Sequence, residues 1–177
     1  MDDLEFDLNR TIGRLTAVAA GMIATGPALE AGRPWPLHRV EHDAGPESAW
    51  GPTEVLAHVA EFLQYWLGEI ERVLDGSPEP VPFGRTAEDR LRVLTIERDR
   101  TLPPRALLDR IEAGAERYAR RFALLTPADL ARRGLHPTLG ELGVGAMLER
   151  LVVSHAEGHL VQLREALGAA GGQAPAG

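Results

Sequence analysis

Four stretches of this chain repeat their apolar residues at steps of three and four, the spacing of one face of an α-helix. The first runs from about Asp3 to Leu29 and carries Leu4, Leu8, Ile12, Leu15, Val18, Met22 and Ile23. The second starts at Pro52 and runs to Leu74; proline suits a first helical position, where its missing N–H would be unpaired anyway. The third, from about Pro104 to Leu125, lines up Leu107, Leu108, Ile111, Ala115, Tyr118 and Phe122. The fourth runs from about Val144 to Leu167. Ala, Leu, Glu and Arg, all good helix formers, abound, and runs rich in Val, Ile, Thr and Tyr that alternate in twos are missing. The expected fold class is therefore all-α, a four-helix bundle without a sheet.

Proline and glycine mark the connections. Gly26-Pro27 is expected to end the first helix, and 31–50, with Gly32, Pro34, Pro36, Gly45 and Pro46, reads as an extended loop. Gly76-Ser77-Pro78 stops the second helix, and Thr86-Ala87-Glu88-Asp89 reads as the cap of a short helix to about Asp99. Thr126–Asp129 restarts a turn of helix, and 134–143 reads as a loop. Up-and-down hairpins need only short links, so the two long linkers call for crossover connections. One domain over 1–167 and a disordered Gly, Ala and Pro tail over 168–177 are expected.

Composition narrows the function. Lys plus Arg is 19 and Asp plus Glu is 26, a net −7 that suits a phosphate backbone poorly, so nucleic acid is not an expected partner. Arg117, Arg120, Arg121, Arg132 and Arg133 are diluted by Glu112, Glu116 and Asp129 and read as a solvated face. There is no cysteine, which removes disulfides, thiolate ligands and a thiol nucleophile and fits a reducing cytoplasm. Met1-Asp2-Asp3 is an acidic start, unlike a signal peptide, and no apolar run approaches the roughly 20 residues that span a bilayer. A cytoplasmic protein acting on a small molecule, away from membranes, is expected, with a second copy of itself in a homodimer as the candidate protein partner.

Six histidines are present, and His38, His42 and His136 fall in expected loops. His155 and His159 are four apart on the fourth helix, about 40° apart around its axis and about 6 Å along it, so two imidazoles can grip one ion. Leu148, Leu151 and Gln162 lie within about 40° of His155, on the buried stripe. Ala156 stands where the zinc-protease motif needs its glutamate, and Glu157 is expected to face water, so protease chemistry is excluded. His58 is flanked by Val55 and Phe62 on the inward face of the second helix. One inward histidine is ordinarily a core residue with a single hydrogen bond. Three without partners would cost roughly 1–3 kcal/mol each, and one shared divalent ion satisfies them together.

At these residues the chain resembles the DinB-like family of metal-binding four-helix bundles. Trp50-Gly51-Pro52-Thr53-Glu54-Val55-Leu56-Ala57-His58-Val59 matches the family's Trp, helix start and early His. His155-x-x-x-His159-Leu160-Val161-Gln162-Leu163 matches its closing motif, and Leu139-Gly140 through Leu148 resembles the lead-in. Gly51-Pro52-Thr53 departs from the more usual Ser or Thr after Trp. The resemblance implies an unusual crossover topology and an ion of zinc, nickel or iron held by His58, His155 and His159. Relatives include S-transferases that join bacillithiol or mycothiol to electrophiles, thiol-dependent isomerases and metal-dependent hydrolases.

Three nitrogen ligands leave a position open, the pattern of a catalytic site. The expected reaction is activation of a low-molecular-weight thiol co-substrate for attack on a small electrophile. Metal-dependent hydrolysis and a non-enzymatic, metal-stabilised binding module are the alternatives. Glu61, three residues after His58, is a candidate proton acceptor or, on the plainer reading, an exposed helix carboxylate. Gln162 is a candidate for steering a bound water or a buried polar residue.

Overall fold

The computed structural model describes residues 7–37, 47–76 and 79–171; His38, His42 and the ends of the chain lie outside them. The first apolar stripe is helix α1 (Leu8–Ile23), started by the Asp7 carboxylate accepting from the Arg10 N–H. A turn at Ala24 and Thr25 ends it, two residues before the expected stop. Pro27 then lies in the first turn of a new helix, α2 (Gly26–Ala31), as proline at a helix start permits. A single 3₁₀ turn, Glu47–Ala49, precedes helix α3 (Pro52–Asp75). Strand β1 (Val81–Pro82) follows, then α4 (Arg90–Asp99), whose cap is Asp89 rather than Thr86. Next come α5 (Pro104–Phe122) and the short α6 (Pro127–Leu130), the latter held by a reciprocal Thr126–Asp129 capping box.

The expected loop over 134–143 is instead a hairpin of β2 (Arg133–His136) and β3 (Gly140–Gly143), with β1 parallel to β2. The expectation of no sheet is corrected to this extent. The pattern in β2 alternates exposed and buried over only four residues, too short to stand out against helical periodicity. Gly134 lets the strand lie flat on the core: a Cβ there would sit 2.5 Å from Phe83 and 2.9 Å from Met147.

The last stripe is α7 (Val144–Met147), a π turn over Leu148–Val153, and α8 (Ser154–Gly171), which runs four residues past the expected end. Residues 172–177 lie outside the description. The four long segments close one core. α1 packs on α5 and α8, and α3 packs on α5 and α8. α1 with α3 and α5 with α8 therefore stand diagonally, each pair joined by a long connection, whereas α3 and α5 are adjacent although the link between them is long as well. The all-α bundle with crossovers is thus the architecture, with a small sheet at one side.

Leu8–Ala31 is, by length and composition, long and apolar enough to cross a membrane, against the expectation from the sequence. Its apolarity has a use in the core: Leu15, Val18, Ala19, Met22 and Leu29 are buried. α3 is the central helix, with every residue from Pro52 to Ala60 buried, His58 among them.

Candidate metal centre

Bundle geometry brings the three helical histidines to one point. His58 on α3 and His155 and His159 on α8 converge through their Nε2 atoms, with His155 Nε2 3.0 Å from each of the other two. Aromatic packing holds the rings: Trp50 meets His58 edge-on at 5.3 Å, and Phe62 meets His58 at 5.2 Å and His155 at 4.9 Å. Burial lowers the pKa of all three, His58 well below the usual value and His155 to about 4, because a charged imidazole loses its water here.

The protons show what belongs between them. His159 Nδ1–H donates to Gln162 Oε1 at 2.9 Å, which leaves the Nε2 of this neutral ring a bare lone pair. A neutral His155 has at most one proton on Nε2, and that proton can bridge to only one neighbour. His58 Nδ1 is buried with no hydrogen-bond partner among the described residues. Three neutral imidazoles this close are frustrated by themselves and suited to a cation with nitrogen ligands, so the donor set fits a divalent metal.

A carboxylate completes the group. Glu47, from the 3₁₀ turn ahead of α3, puts Oε2 4.0 Å from His159 Nε2, and one ligand atom from each of the four residues lies within 4.8 Å of the rest. Glu47 also pairs with Arg92 of α4, and Gln162 Nε2 donates to the Glu47 carbonyl at 2.5 Å. Gln162 therefore spends both ends of its amide on orientation. It fixes the tautomer of His159 and ties the Glu47 turn to α8, a supporting role that metal-ligating histidines commonly need.

Glu61 stands apart from the group. It is not an exposed carboxylate: its side chain is 8% exposed and accepts from Arg85 at 2.6 Å. Glu157 does not simply face water either. It accepts two hydrogen bonds from Arg14 of α1, at 2.8 and 2.6 Å, and the same guanidinium reaches Glu149 at 2.6 Å, pinning the π turn and α8 to α1. The arginine-rich face is mostly paired, with Arg121 on Glu71 and Arg120 on Glu116.

A cavity of about 210 Å³ opens above His58 and His155. Phe62, Trp66 and Leu151 give it apolar walls, and Arg85, Arg92 and His136 give it polar ones. His136, at the end of β2, accepts at Nδ1 from the Thr138 and Leu139 amides at 3.2 and 3.3 Å, so its proton sits on Nε2. Glu47, Arg85, Arg92 and His136 carry no pattern in the sequence that marks them as site residues. All lie in or beside linkers, where no period shows which side chains turn inward; Glu47, three residues before Trp50, was the nearest to a readable signal.

The model of the DinB superfamily matches residues 7–163. The chain belongs to the DinB superfamily. Among solved structures, YfiT from Bacillus subtilis is similar at 18% identity with a TM-score of 0.72, covering 98% of this chain and 92% of that one. It is described as "a probable metal-dependent hydrolase with an unusual four-helix bundle topology". At that identity the likeness shows the shared fold. Among curated proteins, none matches the chain.

Proposed function

We propose that this DinB-superfamily protein is a metal-dependent enzyme that activates a low-molecular-weight thiol for attack on a small electrophile, an S-transferase. The observation that carries the metal-centred reading is the convergence of three neutral imidazole nitrogens, two of whose rings, His58 and His155, line a cavity. A bound divalent ion, zinc first with nickel and iron behind it, supplies a Lewis acid that favours the thiolate over the thiol. His58, His155 and His159 hold it, and Gln162 orients His159. Glu47 would take the proton that the thiol loses, its carboxylate paired with Arg92 beforehand. Phe62 and Trp66 keep the wall beside the reacting atoms apolar. The sulfur must arrive with the co-substrate, because the chain has no cysteine.

Hydrolysis is the second reading, favoured by the structural likeness to YfiT. The test is to load the protein with zinc, nickel or iron and offer a thiol with an electrophile beside a panel of esters, with and without chelator. Thiol-dependent product that stops on chelation supports the transferase. Ester turnover without thiol moves the assignment to hydrolase. A folded, metal-loaded protein inert toward both supports a binding module.

A further inference from the structure

Arg85 stands in the wall between two cavities. One is the 210 Å³ cavity over the histidines; the other is a cleft of about 760 Å³ along α3 and α4. Its guanidinium carbon lies 3.7 Å from the Tyr65 ring centroid, its Nη2 donates to Glu61 at 2.6 Å, and its Nη1 is 3.7 Å from Asp89. Tyr65, Glu61 and Asp89 all line the outer cleft, and none of them lines the histidine cavity. Arg85 alone of this cluster lines both. Its carboxylate partners thus lie on the outer side, and the guanidinium itself is shared with the inner cavity.

The charged lining of the inner cavity is two guanidiniums, Arg85 and Arg92, and the carboxylate of Glu47; Glu47 pairs with Arg92, and Arg85 pairs with Glu61 behind the wall. A divalent ion in the histidine site adds positive charge that these ion pairs leave unbalanced. The cavity is smaller than those that hold drug-sized ligands. A stacked, ion-paired guanidinium 11% exposed is already fixed in place, so little freedom is lost when a planar anion binds its remaining N–H groups. The Thr86 and Thr138 side chains on the same lining add polar groups for such a ligand.

We infer that the cavity takes a substrate bearing a carboxylate or comparable anionic group, held by Arg85 while the reacting atom faces the histidine cluster. This rests on the metal-centred reading proposed above. A neutral substrate of the same size leaves Arg85 facing an unfilled positive pocket and binds more weakly.

Cobalt(II)-loaded protein gives a test that needs no turnover, since ligand binding changes the cobalt absorption spectrum. One series is 3-mercaptopropionate, 2-mercaptoethanol and cysteamine, which differ chiefly in the charge of the tail. A second replaces the thiol with a hydroxamate: the monohydroxamate of succinic acid against acetohydroxamate. The expected result is a preference of about tenfold or more for the anionic member. In Arg85→Gln that preference falls to within about twofold, with cobalt stoichiometry unchanged. If the unpaired Glu61 prevents Arg85→Gln from folding, Arg85→Gln combined with Glu61→Gln removes the stranded charge and carries the same expectation. Equal binding of charged and neutral probes, or a preference that survives loss of Arg85, overturns the inference. Charge preference among hydroxamates with no thiol binding defeats the thiol reading and upholds the anion site. Failure of both head groups to bind the ion overturns both.

Discussion

Gln162 uses each end of one amide for a different task, and that makes it the most informative single residue outside the ligand set. Losing it frees the His159 ring to rotate or change tautomer and unties the Glu47 turn. Gln162→Leu is expected to weaken zinc binding by about 10–100-fold while the fold is kept, measured by competition with a chromophoric chelator. Unchanged affinity would mean that packing against His58 and Phe62 alone orients the ring. The histidines also set a pH dependence. Free imidazole titrates near 6.5, so the unfolded chain takes up protons below that value. The metal-free fold keeps these rings neutral to lower pH, His155 to about 4. The unfolded state therefore binds more protons in this window, and stability present above about pH 6.5 is lost as pH falls toward 4. The depressed His136 acts in the same direction. Melting of the metal-free protein at pH 7.5, 6 and 5 should show a steadily falling Tm; a Tm that rises on acidification contradicts the burial of neutral imidazoles. Metal binding follows the same logic. Protons compete only once the rings charge, so the loss of affinity sets in below the value near 6.5 at which free imidazole titrates.

Among the elements, the legible ones are those with a period. The stripes of α1, α3 and α5 and the inward placement of His58 follow from steps of three and four, and so does the pairing of His155 with His159. The π turn over Leu148–Val153 does not, because a wider turn looks like an ordinary helix in sequence. It shifts the buried face: Val152 and Val153 are both fully buried, while Leu151, expected on the stripe, is half-buried against the cavity. Such turns recur at functional sites, and this one ends directly before the α8 segment that carries the two histidines. The β1–α4 link was likewise unreadable, since its constraint is steric. Gly84 has φ +85, and a Cβ there would sit 2.3 Å from the His136 ring. Its N–H also donates to Glu69 at 2.5 Å. Gly84→Ala strains the backbone and pushes His136 off its seat, at an expected cost of about 1–3 kcal/mol. Urea unfolding measures it; a loss below about 0.5 kcal/mol would show that the link relaxes freely.

For the whole molecule, the diagonal order of the helices is what assembles the site. α3 and α8 are neighbours although α4 and α5 lie between them in sequence, and this adjacency sets His58 against His155 and His159. The linkers then carry Glu47, Arg85 and, with α4, Arg92 around to the same end. Stability and the site thus rest on different parts of one structure, which His159→Ala separates. The core is built from α1, α3, α5 and α8, with large residues such as Leu15, Phe62, Tyr118 and Phe122 fully buried. Each such side chain contributes about 1.5–3 kcal/mol. Removing one imidazole leaves a hole and strands the Gln162 carbonyl, a loss of about 1–3 kcal/mol against a typical total of 5–15, so the variant should fold. The ion fares worse. Two histidines remain, and the Nε2 that stood within 4.0 Å of the Glu47 carboxylate is gone. Wild type and His159→Ala should show similar circular dichroism, a Tm lower by several degrees in the metal-free forms, and little or no zinc retained by the variant after dialysis. Under the proposed function, thiol-dependent turnover disappears with the zinc. Full activity without bound metal would refute the metal-centred mechanism. A variant that cannot fold even when metal-free wild type does would give the histidine cluster a structural duty that the buried apolar core leaves no need for.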